Sequence, residues 1–387
     1  MKNKLFHVLL KTNFQYIVFL LINSLFILKY SSRYGVNPYF MLPIYFMVFG
    51  LIYFLYKKYI SKFTEKLFKP LYWISLVAAI LLIIGLLVFI DPYTIRVDRW
   101  SALTFFWDSV FSGQYPYSTH THVGSTNFAS PFPLWHLINL PFYLLGDVGI
   151  GIIVFLILIS VSVKYYFSTY SQAYLFLLLL LISPAYWWEV SVRSDSLNNG
   201  LFVFMIILWF IKHKRNLSNS FFIAILICGI ISSTRLTAII PLALFFFQSY
   251  LKLSFKSKVI FPVSIMMIAL ISFLPFIFWN TETWIFFSRN PFMSQTGNGN
   301  IYVLLFMLIL GVIMALKWKN TYQFFNNTSL FIFIFILASQ IVRICNAGEG
   351  NLFSDGIADI SYFNLALPYC IGFLTSKIKP ENLVILS

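Results

Sequence analysis

The chain has 387 residues, 60% of them hydrophobic and only 10% charged, with a formal net charge of +15. A soluble domain carries about 25% charged residues, so the composition excludes an ordinary water-soluble protein. The apolar runs are long and unbroken, not alternating over about 10 residues, which excludes a transmembrane β-barrel.

Backbone groups in lipid must be satisfied within their own segment, so the expected fold class is all-α and polytopic, a single integral membrane domain over 1–387. Met1 to Lys11 is basic, and the apolar run after it has no small-residue cleavage site, which predicts a retained first span. Spans are predicted at 14–30, 39–56, 70–90, 148–164, 172–185, 197–211, 218–232, 236–251, 259–279, 300–317, 325–342 and 361–376, about twelve in all. Pro131 to Leu145 is apolar but short and carries Pro131, Pro133 and Pro141, which predicts a re-entrant or interfacial helix. Cys228, Cys345 and Cys370 are too few for a disulfide framework.

Lysine sets the orientation. Lys57, Lys58, Lys62, Lys66 and Lys69 form one group, Lys212, Lys214 and Arg215 a second, and Lys252, Lys256 and Lys258 a third. With Lys317, Lys319, Lys377 and Lys379 they all fall on one side when both termini are cytoplasmic. The positive charge is thereby explained by topology, and no nucleic-acid partner is expected. The same orientation puts Asp91, Asp98, Asp108, Asp147, Glu189, Asp195, Glu282, Glu349, Asp355 and Asp359 outside, leaving Glu65 and Glu381 inside. Arg33, Arg96, Arg99, Arg193, Arg235, Arg289 and Arg343 also lie outside or at outer span ends. Arginine beside carboxylates suits bidentate recognition of phosphate or carboxylate, although ordinary loop ion pairs give the same pattern.

The longest polar segment runs from Asp91 to Ser130, with Trp100, Leu103, Phe106, Trp107 and Val110 at helical spacing over Arg99 to Phe111. That spacing predicts an amphipathic helix on the membrane surface, holding Asp98 at the water–lipid boundary. There Asp98 serves either as a general base or as the helix N-cap. In Ser183–Asn199, Trp187 and Trp188 stand with Glu189, Arg193 and Asp195, as in an interfacial belt or a sugar-binding cleft. Ser232–Arg235 (SSTR) interrupts the apolar stretch 219–251, placing Arg235 at membrane depth, where it either snorkels or binds a phosphate. Glu349, Asp355 and Asp359 could hold a divalent cation, but their spacing fits no known ligand loop, so no cofactor is expected. His120 and His122 read as loop histidines. There is no Walker A loop and no HExxH motif, which leaves activated substrate to come from the membrane or the outer compartment.

The run VDRWSALTFFWDSVFSGQYPY, followed by SPFPLWHLINLPFYLLGDVG, resembles the bacterial GT-C glycosyltransferases, which take sugars from polyprenyl-phosphate donors. The turn Gly113, Tyr115, Pro116, Tyr117, the apolar segment Pro131–Leu145, and the later RSDSLNN, SSTR and NLALP segments carry the resemblance. It implies a membrane hexosyltransferase with an extracytoplasmic site in the plasma membrane, inverting at the sugar, with a glycan or lipid-linked acceptor. Asp98 would be the base and Asp91 the next candidate. Arg235, Arg193 and Arg99 would bind the donor phosphate, and Trp100, Tyr117, Trp187, Trp188, Glu189, Asp195 and Asn364 the sugar or acceptor. An O-antigen-type polymerase or ligase is the alternative, predicting a larger late outer loop. A flippase or transporter is another, predicting charges deep in several spans and an internal repeat.

Overall fold

The computed structural model describes residues 14–59, 64–296, 299–348, 350–353 and 358–378. Expectations placed on Met1–Lys11, Lys62, Glu349, Asp355, Lys379 and Glu381 lie outside these residues. The described chain is predominantly helical. Six helices are long and apolar enough to cross a membrane: Phe14–Arg33, Pro38–Tyr59, Glu65–Phe89, Ile150–Phe167, Phe255–Ile277 and Thr321–Ala347. Three of them, Pro38–Tyr59, Glu65–Phe89 and Phe255–Ile277, bury little of their surface, and their exposed side chains include Leu51, Phe54, Ile74, Leu81, Met266 and Ile271. Helices apolar all round belong in lipid unless a protein core covers them, and these features mark a multi-pass membrane protein.

The structure does not confirm about twelve spans. Among the described residues the number is six by length and composition, or up to eight if the bent pairs Tyr170–Leu181 with Pro184–Ser191 and Ile285–Thr296 with Ile301–Lys317 each count as one. Helices Phe221–Ser232 and Leu367–Ile378 have 12 residues each, rising about 18 Å against a hydrocarbon core of about 30 Å. The break at Ser232–Arg235 falls where the sequence placed it, between 218–232 and 236–251, whereas the predicted span 172–185 runs across the break at Ser183–Pro184. Pro133–Leu144 is likewise a helix of 12 residues.

The chain divides into two compact units that interleave in sequence. Unit 1 takes residues 1–82, 157–189 and 300–387, and unit 2 takes 83–156 and 190–299. In unit 1, α1 (Phe14–Tyr30) packs against α2 (Pro38–Tyr59), α3 (Thr321–Ala347) and α4 (Leu367–Ile378). Polar side chains stitch this core. Gln15 Nε2 donates to the Asn326 carbonyl at 3.1 Å and to its Oδ1 at 3.2 Å. Asn23 Oδ1 accepts from Ser183 Oγ at 2.5 Å and the Ala185 amide at 3.2 Å. Glu65 accepts the amides of Tyr170 (2.7 Å) and Ser171 (3.2 Å) at the start of Tyr170–Leu181. It thereby supplies a negative charge where helix N–H groups have no partner.

In unit 2, helix Arg99–Phe111 packs on Pro133–Leu144, with Trp107 Nε1 donating to the His136 carbonyl at 3.1 Å. The helix lies where the sequence predicts it, and its apolar face packs into the protein. Trp100 and Leu103 enter a core cluster with Trp135 and Phe142, while Phe106 enters another with Tyr117, Phe132 and Phe273. The remainder of the 91–130 segment is also ordered, closing as a hairpin of His120–Thr121 with Gly124–Phe128.

Candidate functional site

The broken helix at Ser232–Arg235 and the start of helix Ser196–Lys212 build the site in unit 2. Hydroxyls end the first helix by bonding back to its own carbonyls: Ser232 to Cys228 at 2.6 Å, Ser233 to Gly229 at 2.8 Å and Thr234 to Ile231 at 2.7 Å. Such back-bonding competes with the helical ladder and turns the chain. The freed carbonyls of Thr234 and Ser233 then accept the amides of Phe132 (2.9 Å) and Leu134 (3.2 Å). These are first-turn donors of Pro133–Leu144 or its N-cap, which otherwise have no helical partner. Asn199 Nδ2 adds a bond to Thr234 Oγ1 at 2.9 Å.

Held this way, Arg235 is extended and 3% exposed, and its Nη2 pairs with Asp195 Oδ2. The same carboxylate oxygen accepts Trp135 Nε1 at 2.6 Å. Burial opposes the charge on Asp195. The charge and hydrogen bond of Arg235, the charge of Arg99 and the Trp135 donor outweigh it, holding the carboxyl below its ordinary range. Two buried charges persist only when paired and bonded this closely. Yet the pairing is incomplete: Arg235 Nε, Ser196 Oγ and Asn199 Oδ1 are buried with no hydrogen-bond partner. An orphaned buried donor or acceptor costs about 1–3 kcal/mol, and a group of them around an ion pair marks a place built for something else to bind. His136 completes the surroundings, fully buried and stacked on Phe106 with ring centroids 3.6 Å apart. Burial drives its pKa down to about 3, Asp195 pulls it up and Arg235 pushes it down further, so the ring is neutral at physiological pH.

The residues singled out from sequence divide between the units. In unit 2, Asp98 is half-buried directly before helix Arg99–Phe111, and its side chain does not cap that helix. The capping alternative therefore does not account for it. Asp91 is exposed and caps its own turn, accepting the Tyr93 amide at 3.0 Å. Arg193 is buried and saturated on one edge. Its Nε bonds both Asp147 oxygens (3.1 and 2.9 Å), and its Nη2 bonds the Leu87 (2.7 Å) and Ile90 (3.1 Å) carbonyls at the end of Glu65–Phe89. Trp100 is buried with Nε1 on the Pro92 carbonyl at 3.0 Å, and Tyr117 is buried with its hydroxyl on the Pro131 carbonyl at 3.3 Å. A ring that stacks on sugar needs an open face, which neither has. These three residues are scaffold.

In unit 1, Trp188 stacks on Tyr30 with centroids 3.6 Å apart, and the Arg33 guanidinium lies over both rings. Glu189 is buried and accepts Asn364 Nδ2 at 2.8 Å, while Trp187 Nε1 donates to the Leu181 carbonyl at 2.6 Å. Among the described residues no three His, Cys, Asp or Glu side chains group as metal ligands. Asp359 caps the turn that follows it by accepting the Ser361 amide at 3.0 Å. His122 is more than a loop histidine: its ring joins Ser101 Oγ at 2.6 Å and the Ile95 carbonyl at 2.8 Å.

Trp135, His136, Asn199 and Gln295 escaped the sequence reading. Gln295 donates to the Ser130 carbonyl at 2.6 Å and accepts the Leu236 amide at 2.8 Å, fixing the backbone beside Arg235. His136 and Asn139 inside an otherwise apolar segment were the one available signal. Comparison with protein-family models, curated proteins and solved structures finds no match for the chain.

Proposed function

We propose that the chain is a plasma-membrane glycosyltransferase of GT-C type that moves a sugar from a polyprenyl-phosphate donor to an acceptor hydroxyl. Both termini are cytoplasmic in this reading, and the site faces the extracytoplasmic side. The observation that carries it is Arg235, buried at a helix break, tied to Asp195 through Nη2 and left with Nε unpartnered. The charge of Arg99 reaches the same carboxylate, so two arginines converge where a phosphate would sit.

Asp98 takes the proton of the acceptor hydroxyl, whose oxygen forms a bond to the anomeric carbon. The bond from that carbon to the phosphate oxygen breaks on the opposite face, inverting the centre. The lipid phosphate monoester leaves with the electron pair. Arg235 and Arg99 meet the negative charge growing on it, the electrostatic contribution that usually dominates such sites. Asp195 holds Arg235 in place and is itself no base, because its carboxylate is already shared between two donors. Arg193, Trp100 and Tyr117 are left out of the binding role by the partners described above.

The test is transfer from radiolabelled polyprenyl-phosphate hexoses by the purified protein in liposomes. Asp98→Asn should lower it by about 10²–10⁴ while the protein stays folded. Full activity in that variant would move the base to Asp91. Labelled substrate accumulating in vesicles without covalent product would replace transfer with transport.

A further inference from the structure

We infer that Asn199, with Ser196 beside it, reads the hydroxyl on the sugar carbon next to the anomeric one, so that the donor is a hexose with a free 2-hydroxyl. The inference rests on the reading of this site as one for a sugar phosphate, and it adds what selects the sugar.

The side-chain amide of Asn199 can face only one way. Thr234 gives its single hydroxyl proton to the Ile231 carbonyl at 2.7 Å, and a carbonyl can only accept. Towards Asn199, Thr234 Oγ1 therefore has lone pairs alone, and the 2.9 Å contact between them is Nδ2 donating. The amide oxygen is turned the other way, in a residue that is 0% exposed, and it has no hydrogen-bond partner.

Two bonds fix its place relative to Arg235. Asn199 holds Thr234 and Asp195 holds Arg235, so consecutive residues are clamped across a single turn of helix. That turn is closed by the Asn199 amide on the Asp195 carbonyl at 3.0 Å, and residues four apart share a face. Arg235 Nε, Asn199 Oδ1 and Ser196 Oγ are the unpartnered atoms the clamp gathers. Leu236, the next residue, is 41% exposed, so the turn lies directly beneath the surface.

These atoms ask for opposite things. Arg235 Nε only donates and suits a phosphate oxygen, whereas Asn199 Oδ1 only accepts. A phosphodiester has no proton to offer it. One ligand satisfies both where a hydroxyl stands beside the phosphate, and in a glycosyl phosphate that is the 2-hydroxyl, one carbon from the centre bearing the phosphate. Ser196 Oγ can give its own proton to the oxygen of that hydroxyl. Bonds to the 2-hydroxyl strengthen as positive charge grows on the anomeric carbon, so the contact favours transfer as well as binding.

The experiment measures kcat/KM in liposomes for polyprenyl-phosphate glucose and mannose, which differ only at this carbon, and for the 2-deoxy donor common to both. The better hexose should exceed the 2-deoxy donor by about 10–100-fold, the loss when a buried acceptor is left unmet. Asn199→Leu should bring that ratio close to one, with the loss falling on the hexose. A ratio taken on one preparation is unaffected by the fraction folded. Ser196→Ala is a smaller change that should narrow the ratio by about fivefold, and it serves if Asn199→Leu fails to fold. Equal use of hexose and 2-deoxy donors by the unaltered chain, or a ratio unmoved in the variants, would overturn the inference and leave sugar transfer standing. Transfer from none of the donors would strike the reading of the site itself.

Discussion

Two buried arginines, 193 and 235, face aspartates in the same unit, and they have been given opposite tasks. Arg193 spends Nε on both oxygens of Asp147 and Nη2 on two carbonyls at a helix end, and its aspartate is 30% exposed. Arg235 makes one ion-pair contact with an aspartate as buried as itself and keeps Nε unpartnered beside Ser196 and Asn199. The first is a staple whose cost of burial is recovered in secondary structure. The second leaves recognition capacity unused, which a protein tolerates where a ligand completes the set. Arg193 Nη1 is also buried without a hydrogen-bond partner, so what separates the two is the company of the spare donor: Ser196 Oγ and Asn199 Oδ1 are likewise unpartnered near Arg235, whereas Asp147 and two helix-end carbonyls take up the rest of Arg193.

The largest expected effect breaks the comparison at Arg235. The double variant Asp195→Asn, Arg235→Gln removes both buried charges, so stability should change by about 1 kcal/mol or less, since a neutral pair escapes the desolvation penalty. Transfer should fall by about 10²–10³, the usual loss when a donor to developing charge is removed. Urea unfolding and the liposome assay on one preparation decide it, and retained transfer would make Arg235 a second staple. Next comes Arg193→Ala. It should cost about 2–3 kcal/mol by stranding Asp147 and the Leu87 and Ile90 carbonyls, with transfer per folded molecule within about twofold. A large kinetic loss at unchanged stability would erase the distinction between the two residues.

Acidity sharpens the same comparison by a smaller amount. The folded His136 titrates at about 3, below the unfolded value of about 6.5. Between those limits the unfolded chain binds one proton more, so its contribution is complete above about 6.5 and is lost as pH falls, by about 1.4 kcal/mol per unit. Asp195 is also lowered, so its contribution is present above the unfolded value of about 3.9 and is lost only as pH falls through the lower folded value. Between pH 5 and 6.5, then, stability should slope through His136 and not through Asp195. His136→Gln should flatten it, and an unchanged slope would assign the titration elsewhere. The smallest effect is Gln295→Ala, which should cost about 1 kcal/mol and raise the donor KM more than it lowers kcat, since Gln295 positions Arg235 without touching substrate.

Hydropathy made most of the scaffold legible. The six full-length helices coincide with predicted spans at 14–30, 39–56, 70–90, 148–164, 259–279 and 325–342, because a run of about 20 apolar residues has few other fates. The bend at Ser183–Pro184 was not legible, since a break made by Ser–Pro leaves the average apolarity unchanged, whereas the one at Ser232–Arg235 was, because three hydroxyl residues and a charge interrupt the run. At the candidate site, Arg235 stood out because a charge in an apolar run is expensive. Its partner in the pair could not be deduced, because 40 residues separate it from Asp195. That Trp100 and Tyr117 are packed was illegible for the opposite reason: an aromatic side chain looks the same in sequence whether its face is open or buried. Trp135 was hidden among apolar neighbours until its indole nitrogen was seen on Asp195.

The polar stitching of α1 also governs how the protein is made. Gln15 finds Asn326 only once the chain has grown by 311 further residues, about 15–60 s at roughly 5–20 residues per second. Through that interval α1 carries a side-chain amide with its partner still untranslated. Biogenesis of this protein therefore depends on whatever shelters α1 during that wait, and a Gln15→Leu chain should insert α1 with less assistance and dock α3 on it with less fidelity.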